Sequence, residues 1–314
     1  MHGILVVDKP QGVTSHDVVA AARRALREAR IGHTGTLDPL ATGVLPLAIG
    51  RATRLVRFLT ASDKEYEATV RFGFTTDSYD VTGAETSRTG AVPARDAVLA
   101  ALDLLRGEYL QMPPAFSAKK VGGRRAYDLA RRAQAVTLTP VPVRVSRADL
   151  LELAGSQARL VLTCSAGFYV RSFAHALGER TGTGACLEAL RRTRSSEFTL
   201  EDAVQMDALS EEQQVASRLI PLDRLLPGFP AVRVTSGGRG SVSHGRELSA
   251  GDYEPLGGSA SRHPPYVRGP GAADVHADPA SGEWVRILDD AGALVAIGTR
   301  GRGPESLHPS VVLI

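Results

Sequence analysis

The chain has 314 residues, of which 43% are hydrophobic and 23% charged, enough for one large domain and a smaller one. Its longest uncharged run, residues 39–50, is too short to span a bilayer, which excludes the usual membrane-helix pattern there. The two cysteines lack metal-ligand spacing, and the N-terminal residues lack a signal-peptide pattern. We therefore expect a cytoplasmic protein with reduced thiols.

Apolar periodicity and turn residues predict the secondary structure as far as residue 200. In chain order the expected elements are a strand over 3–7, a helix over about 16–29 with Thr14 and Asp17 as N-cap and N3 residues, a loop that carries Asp38, a helix over 53–60, a strand over 64–74, a loop over 75–83, a helix over 94–105, a short basic helix over 124–133, strands over 141–153 and 158–165, a helix over 168–180, and a segment over 185–200 that fits either a helix or a strand.

Strands separated by helices without strict alternation indicate an α+β fold. A domain boundary is expected near residues 226–230, which gives a large domain over 1–228 and a small β-rich domain over 229–314. The short strand-like runs of the small domain are residues 231–235, 284–288, 293–298 and 311–314. Residues 257–282 are rich in Gly, Pro and Ala, a composition that predicts a long mobile loop.

Positive charge is concentrated in three segments, although the net charge is only +3. Residues 117–147 hold eight Lys and Arg against one acid, and residues 23–57 hold seven Arg against two acids, which gives local balances of +7 and +5. The third segment comprises Arg191, Arg192 and Arg194. One such group alone would usually be a solvated face, but three favour a polyanionic partner. Because aromatic residues make up only 5% of the chain, a folded RNA held by its backbone fits better than stacked single strands.

Asp38 lies among three glycines, threonines and prolines in the segment 32–46. Asp-Pro alone would favour a structural turn, whereas the glycines permit close approach of a ligand to the backbone. The next acid along the chain is Asp63, and a hydrolytic glycosidase usually needs two carboxylates. A single carboxylate suits a reaction that breaks and remakes a glycosidic bond. It would act as a nucleophile or by stabilising positive charge, and both options stay open.

The same segment, Gly-His-Thr-Gly-Thr-Leu-Asp-Pro-Leu-Ala-Thr-Gly-Val-Leu-Pro, closely resembles the catalytic loop of TruB-type tRNA pseudouridine-55 synthases. Five further segments resemble motifs of that family, in the same order and spacing across residues 1–205. They are 8–15 (Asp-Lys-Pro-Gln-Gly-Val-Thr-Ser), 64–66 (Lys-Glu-Tyr), 113–120 (Pro-Pro-Ala-Phe-Ser-Ala-Lys-Lys), 164–172 (Cys-Ser-Ala-Gly-Phe-Tyr-Val-Arg-Ser) and 190–193 (Leu-Arg-Arg-Thr). The resemblance implies the pseudouridine synthase fold, with a mixed, largely antiparallel central sheet flanked by helices, and a PUA-like C-terminal domain.

The resemblance also implies roles for individual residues. Asp38 would be the catalytic carboxylate, Arg171 would pair with it, and Tyr66 would stack on the uracil and could accept a proton. The other implied substrate contacts are His33 in the space left by the flipped nucleotide, Tyr169 against the base or ribose, Leu190 as an apolar wall, and a basic thumb over about residues 113–140 that places Lys119, Lys120, Arg124, Arg125, Arg131 and Arg132 on phosphates.

The implied activity is isomerisation of the T-loop uridine, position 55 of tRNA, to pseudouridine. The nucleotide would first be flipped out of its loop, at a cost of a few kcal/mol. The expected partner is the tRNA T stem-loop, without a metal, an organic cofactor or a membrane. Protein partners are not assigned, and a monomer is expected. Two alternatives remain open, a non-catalytic RNA-binding or tRNA-folding protein and a nucleoside or glycoside hydrolase. The missing second carboxylate counts against the hydrolase.

Overall fold

The computed structural model describes residues 1–116, 120–121, 124–125, 138–256, 284–303 and 305–314. The helices are α1 (Ser15–Leu26), α2 (Val56–Thr60), α3 (Arg95–Leu104), α4 (Val170–Arg180), α5 (Glu212–Arg218) and α6 (Ser236–Ser243). The strands are β1 (Gly3–Lys9), β2 (Ile31–His33), β3 (Ala41–Ile49), β4 (Lys64–Phe72), β5 (Phe74–Thr76), β6 (Glu85–Arg88), β7 (Gly107–Gln111), β8 (Lys120–Val121), β9 (Arg124–Arg125), β10 (Val141–Ala154), β11 (Gln157–Cys164), β12 (Ala185–Ser195), β13 (Phe198–Thr199), β14 (Ala203–Gln205), β15 (Ile220–Pro221), β16 (Ala231–Val234), β17 (Tyr253–Leu256), β18 (Val285–Leu288), β19 (Leu294–Arg300) and β20 (Leu307–Val312).

A large mixed sheet, with eleven strands in the described part of the chain, forms the centre of the molecule. Its main order is β14-β1-β3-β12-β4-β11-β10-β7. The β1–β14 and β3–β12 pairs are parallel, and the other neighbours on this path are antiparallel. The expected α+β fold with a mixed, largely antiparallel central sheet is therefore confirmed.

Local sequence signals explain several of these elements. Thr14 caps α1 and forms a capping box with Asp17, as their spacing predicted. The helix nevertheless ends at Leu26, three residues earlier than expected, because Arg27 adopts a left-handed conformation with φ of 49°. In β4, buried and less buried residues alternate with period two, and Tyr66 lies on the buried side.

The two faces of the central sheet bury different clusters. One face packs against α1 and α4, where Val18, Val19, Phe173 and Leu177 join the main core. The segment that carries Asp38 also contributes to this face, through Leu37. The opposite face buries Ile4, Val6, Val44 and Ala48 in a second cluster. Alternate residues of β1 and β3 thus point to different cores, which makes both strands almost continuously apolar.

The C-terminal part forms a separate five-stranded sheet in the described residues, with the order β17-β16-β18-β19-β20. It packs against the second face of the central sheet, since Trp284, Leu294 and Leu313 share a cluster with Ile4 and Phe58. The expected β-rich C-terminal part is present. The helix α6 within it was not predicted, because glycine and serine make up most of its sequence.

Three local predictions require comment. The uncharged run over 39–50, for which no strand was predicted, contains all of β3, and most of the ambiguous segment over 185–200 forms the strand β12. The predicted basic helix over 124–133 is wrong at its start, because Arg124 and Arg125 form β9 and pair with β8. Residues 126–133 lie outside the described residues, as does the segment over 257–282 for which a mobile loop was predicted.

Candidate active site

The segment that carries Asp38 is held at several points along its backbone. The Ser15 hydroxyl donates to the Leu37 carbonyl at 3.0 Å and accepts from the Leu37 N–H at 2.8 Å. The Gly12 N–H donates to the Pro39 carbonyl at 2.8 Å, and the Ala41 N–H donates to the Asp38 carbonyl at 3.0 Å. These bonds fix the peptide on both sides of Asp38. Its side chain stays 43% exposed and is accessible to a substrate.

Arg171 pairs with Asp38, as the family resemblance implied. It is the second residue of α4, and its Nε atom lies 2.9 Å from Asp38 Oδ2. The Arg171 side chain is only 7% exposed, so the ion pair joins a buried cation to a carboxylate at the edge of solvent. Engagement of one carboxylate oxygen by the guanidinium fixes the side-chain orientation and leaves the other oxygen to face a ligand.

A second carboxylate, Asp80, lies on the other side of the same guanidinium. Its Oδ2 atom is 3.6 Å from Arg171 Nη1, which also donates to the Ser78 carbonyl at 3.1 Å. Asp80 is 5% exposed, and its Oδ1 accepts from Ser78 Oγ at 2.9 Å and from the Thr82 N–H at 2.9 Å. Because it is buried, with Oδ1 hydrogen-bonded to Ser78 and Thr82 and Oδ2 facing Arg171, this acid holds Arg171 and does not reach a substrate.

The sequence reasoning did not identify Asp80, which is 42 residues from Asp38 in a polar loop. The hydrogen-bonding residues around it, Ser78 and Thr82, were its only local signal. The sequence predicted one carboxylate at the site, whereas the structure places two carboxylates beside Arg171. Of these two, only Asp38 is substantially exposed.

Tyr66 and Leu190 both lie in the core cluster that Leu37 of the Asp38 segment joins. Tyr66 is 8% exposed and Leu190 is 9% exposed, and both share a cluster with Leu37 and Ala68. Burial raises the pKa of Tyr66 to about 12, although the nearby Arg192 charge opposes the rise. This shift disfavours loss of the phenolic proton, so proton acceptance by Tyr66 would need a perturbation larger than the one that Arg192 supplies.

A cavity of about 250 Å³ borders this region. Leu40 from the Asp38 segment and Leu190 line it, together with polar residues such as Glu67, Arg159 and Arg191. None of the described residues that line the cavity is Asp38, Tyr66 or Arg171. Since Leu190 belongs to both the cavity wall and the Tyr66 cluster, the cavity adjoins the candidate site and is not its centre.

His33 and Lys9 are further titratable groups close to the Asp38 segment. His33 is half-buried at the end of β2, and its Nδ1 atom accepts from the Gly35 N–H at 3.3 Å. Burial and the Arg192 charge lower the pKa of His33, which favours the neutral imidazole. Lys9 is fully buried and donates to the Pro10 and Val13 carbonyls at 2.8 and 2.7 Å. Burial lowers the pKa of Lys9 to about 8, while the Asp38 charge opposes that shift.

Tyr169 is the N-cap residue of α4, directly before the turn that carries Arg171. Gln111 fixes its backbone on both sides, because the Tyr169 N–H donates to Gln111 Oε1 at 2.8 Å and the Tyr169 carbonyl accepts from Gln111 Nε2 at 3.0 Å. The Arg171 Nη2 atom donates to the Phe116 carbonyl at 2.9 Å. The end of β7 and the segment after it therefore position the start of α4, a contact that sequence reasoning missed.

The three arginines on β12 are engaged within the protein. Arg191 donates to Asp8 at 2.7 and 3.1 Å, and Arg194 lies 2.8 Å from Glu65. Arg192 is 1% exposed and donates to backbone carbonyls. Because Arg192 is buried and the other two arginines are paired with carboxylates, no guanidinium of this group is both exposed and unpaired in the described part of the chain.

The thumb residues are only partly covered by the structure. Lys119, Arg131 and Arg132 lie outside the described residues, and Lys120, Arg124 and Arg125 lie on the paired strands β8 and β9. Their contact with phosphate stays a prediction. In the described part of the chain, no group of three or more His, Cys, Asp and Glu is placed to hold a metal, and no helix is long and apolar enough to cross a membrane.

Comparison with known proteins places this geometry in a family. A family model described as "TruB family pseudouridylate synthase (N terminal domain)" matches residues 23–170. A second model, "tRNA pseudouridylate synthase B C-terminal domain", matches residues 171–227. The chain is 44% identical over 317 residues to tRNA pseudouridine synthase B of Solibacter usitatus, with 100% of both chains covered.

Other relatives agree with these matches. The tRNA pseudouridine synthase B of Mycobacterium tuberculosis is 43% identical over 257 residues, which cover 79% of this chain and 84% of that protein. Among solved structures, a chain in a Cbf5-Nop10-Gar1 complex is 25% identical with a TM-score of 0.72, over 100% of this chain and 85% of that one. A chain in an archaeal box H/ACA sRNP Nop10-Cbf5 complex has a TM-score of 0.70 at 24% identity, over 100% and 86%, and supports the fold alone.

Proposed function

Because the chain belongs to the TruB family of pseudouridylate synthases, we propose that it isomerises the T-loop uridine at position 55 of tRNA to pseudouridine. The relatives named tRNA pseudouridine synthase B support the reaction and the tRNA substrate. The observation that supports the site is the ion pair between the exposed Asp38 carboxylate and the buried Arg171 guanidinium. The cytoplasm, where tRNA is available, is the compartment we propose, and the free cysteines suit it.

In this reaction the N1–C1′ bond of the nucleotide breaks, the uracil turns, and C5 bonds to C1′. The proton on C5 leaves and N1 gains a proton, so no atom is added overall. The Asp38 carboxylate assists departure of the uracil by attack on the nucleoside or by stabilisation of positive charge on the sugar. Arg171 holds the carboxylate in place and supplies a buried positive charge beside it.

Substrate contacts follow from the same region. A uridine in a folded loop must leave its stack before a carboxylate can reach C1′. In our proposal Tyr66 and Leu190 contact the uracil, Tyr169 contacts the base or ribose, and His33 occupies the space that the nucleotide leaves. The basic segment over about 113–140 would then close on the phosphates of the T stem-loop.

We propose two functional parts, a catalytic domain over 1–228 and a PUA-like RNA-binding domain over 229–314. Two sheets that separate near residues 222–230 support this division. The alternative of a non-catalytic RNA-binding protein is not favoured. Binding alone does not need a carboxylate whose orientation is fixed by a buried arginine.

The first experiment maps pseudouridine by carbodiimide treatment and primer extension on an unmodified tRNA transcript. Wild-type protein should give one stop in the T loop, whereas Asp38→Asn should give none and retain tRNA binding. Asp63→Asn is the matched control, because Asp63 also pairs with an arginine, Arg144, at 2.9 Å. It should give the wild-type stop.

Three results would contradict the proposal. Turnover by Asp38→Asn would remove Asp38 from the reaction, and a stop outside the T loop would change the substrate site. Release of free uracil, in place of an isomer of unchanged mass, would establish a hydrolase.

A further inference from the structure

Arg192 is a fully buried cation with an unusual set of partners. The residue is 1% exposed, and its guanidinium donates to three backbone carbonyl oxygens. Within the described residues it forms no ion pair with a carboxylate. A buried guanidinium without a counter-charge is costly, so the carbonyl contacts must offset much of its desolvation.

The carbonyls that Arg192 binds lie on both sides of Asp38. Nη2 donates to Gly35 at 3.1 Å, Nη1 lies 3.5 Å from the Thr36 oxygen, and Nε donates to Val44 at 2.7 Å. Gly35 and Thr36 precede Asp38, and Val44 belongs to β3, which follows it. One rigid, planar group therefore ties together the two ends of the segment that carries the carboxylate.

The backbone of Arg192 is fixed as firmly as its side chain. In the central sheet Arg192 pairs with Gly43 of β3 on one side and with Tyr66 of β4 on the other. Gly43 has a φ of 100°, and a Cβ atom there would lie 2.2 Å from the Arg192 carbonyl oxygen. Because two strand pairings fix the backbone of Arg192, its guanidinium is well placed to anchor the Asp38 segment.

We propose that Arg192 is a positioning residue, whose guanidinium anchors the Asp38 segment so that the carboxylate meets both Arg171 and the target nucleotide. The proposal rests on the proposed function for its catalytic consequence, and the anchoring itself can be measured without RNA. The Arg192 charge also contributes, after burial, to the lowered pKa values of Lys9, His33 and Lys64.

The test compares Arg192→Lys and Arg192→Gln with the wild type in single-turnover pseudouridine formation, with enzyme in excess over tRNA. Lysine keeps the charge but cannot reproduce the fork that reaches three carbonyls. We expect both variants to lose about 100-fold in rate, because a displacement near 1 Å has that effect on a positioned group, while the Kd for tRNA changes less than about twofold. Arg194→Lys and Arg194→Gln are matched controls on the same strand, since Arg194 pairs with Glu65, and they should keep the wild-type rate.

Hydrogen exchange separates anchoring from a general loss of stability. The N–H groups of Thr34, Leu37 and Ala41 bond to Pro46 O, Ser15 Oγ and Asp38 O, so a peptide over residues 34–41 reports on the segment. In the Arg192 variants this peptide should exchange about tenfold faster or more, whereas β11 should keep its wild-type rate. If Arg192→Gln does not fold, the single-turnover rate and the hydrogen exchange of Arg192→Lys test the proposal.

Two outcomes would overturn the proposal. One is a folded Arg192 variant with the wild-type single-turnover rate. The other is exchange that increases equally in residues 34–41 and in β11, which would make Arg192 a general stabilising residue. A wild-type protein without activity would instead refute the proposed function, and the exchange comparison would still test the anchor.

Discussion

At the scale of single residues, the candidate site depends on three charged side chains that hold Asp38 directly or indirectly. Arg171 contacts the carboxylate directly, Asp80 binds the far side of Arg171, and Arg192 binds the backbone around Asp38. Asp38 and Arg171 could be predicted from the sequence, because each lies in a segment with recognisable neighbours. Asp80 could not, since its pairing depends on a loop that returns to α4 from 91 residues away.

Arg192 illustrates a second limit of sequence reasoning. Its neighbours Arg191 and Arg194 gave the impression of a basic surface, and a count of charges does not distinguish exposed from buried guanidinium groups. The alternation along β12 places Arg191 and Arg192 on opposite sides, and a register shift between Arg192 and Arg194 ends it, whereas from sequence alone the segment fitted either a helix or a strand. Once β12 is a strand between β3 and β4, Arg192 has to point into the core with Leu190.

Lys64 gives a pH-dependent prediction at the same scale. It is 6% exposed, and its Nζ atom donates to the Thr60 and Ser62 carbonyls. Burial lowers the pKa of Lys64 to about 8, whereas the unfolded value lies near ~10.4. Between these values the unfolded chain binds more protons than the folded one, so the contribution of Lys64 to the free energy of unfolding rises with pH.

Urea unfolding at pH 7, 8, 9 and 10 should therefore show the wild type gaining stability relative to Lys64→Met above pH 8, by at most about 1.4 kcal/mol per pH unit. Arg147→Met removes an exposed charge that does not titrate in this range, and its difference from the wild type should stay constant. A pH-independent difference between wild type and Lys64→Met would mean that Lys64 keeps its ordinary pKa in the folded protein.

At the scale of elements, the contact between β3 and β12 depends on the absence of a side chain. Gly43 combines a φ of 100° with a position where a Cβ atom would meet backbone atoms of Arg192. Gly43→Ala should lower the free energy of unfolding by more than about 3 kcal/mol, because neither strand can move without breaking its other pairing. Denaturant unfolding measures the loss directly.

Gly182→Ala is the control for backbone strain alone. Gly182 has a φ of 70° but no atom within 4 Å of an added Cβ, so its substitution should cost only about 1–2 kcal/mol. If Gly43→Ala and Gly182→Ala lower the free energy of unfolding equally, the close approach of Gly43 to Arg192 adds no cost beyond backbone strain.

The helices and strands also differ in how well the sequence predicts them. The capping box of α1 and the alternation of β4 are local signals, and both were predicted correctly. The strand β3 was missed because it contains Gly43 and Pro46, residues that usually weaken a strand. Its partners on both sides, β1 and β12, are distant in sequence, and their pairing outweighs local propensity.

At the scale of the whole molecule, the basic segment over residues 23–57 contains arginines that hydrogen-bond to other described residues and arginines that are exposed. Arg23 donates to the Ile31 carbonyl, and Arg54 contacts the Val312 carbonyl. Arg24, Arg27, Arg30 and Arg51 are exposed. Arg30 and Arg51 lie at the far end of β3 from Asp38, because the Gly50 N–H donates to the Arg30 carbonyl, and Arg24 and Arg27 lie at the end of α1. A nine-residue strand spans roughly 30 Å, well beyond the Debye length of about 8 Å, so these charges should affect binding and not chemistry.

We expect the double variant Arg27→Gln/Arg30→Gln to weaken tRNA binding and to reduce the slope of log K against log salt by about 2, with kcat unchanged. The matched control is Arg88→Gln/Arg147→Gln, because both arginines are exposed but already paired with Glu85 and Asp149. Binding measured between 50 and 200 mM salt distinguishes the pairs of variants. An unchanged slope would place the RNA elsewhere on the protein.

The junction between the two sheets has a spectroscopic consequence. Trp284 is the only tryptophan of the chain, is 5% exposed, and meets Phe58 edge to face with ring centroids 4.9 Å apart. Arg57 lies 5.0 Å above its ring. All indole emission therefore originates where the C-terminal sheet touches the rest of the protein. Undocking of that sheet would move the emission to longer wavelength, so the fluorescence of the unlabelled protein reports whether the two parts separate when RNA binds.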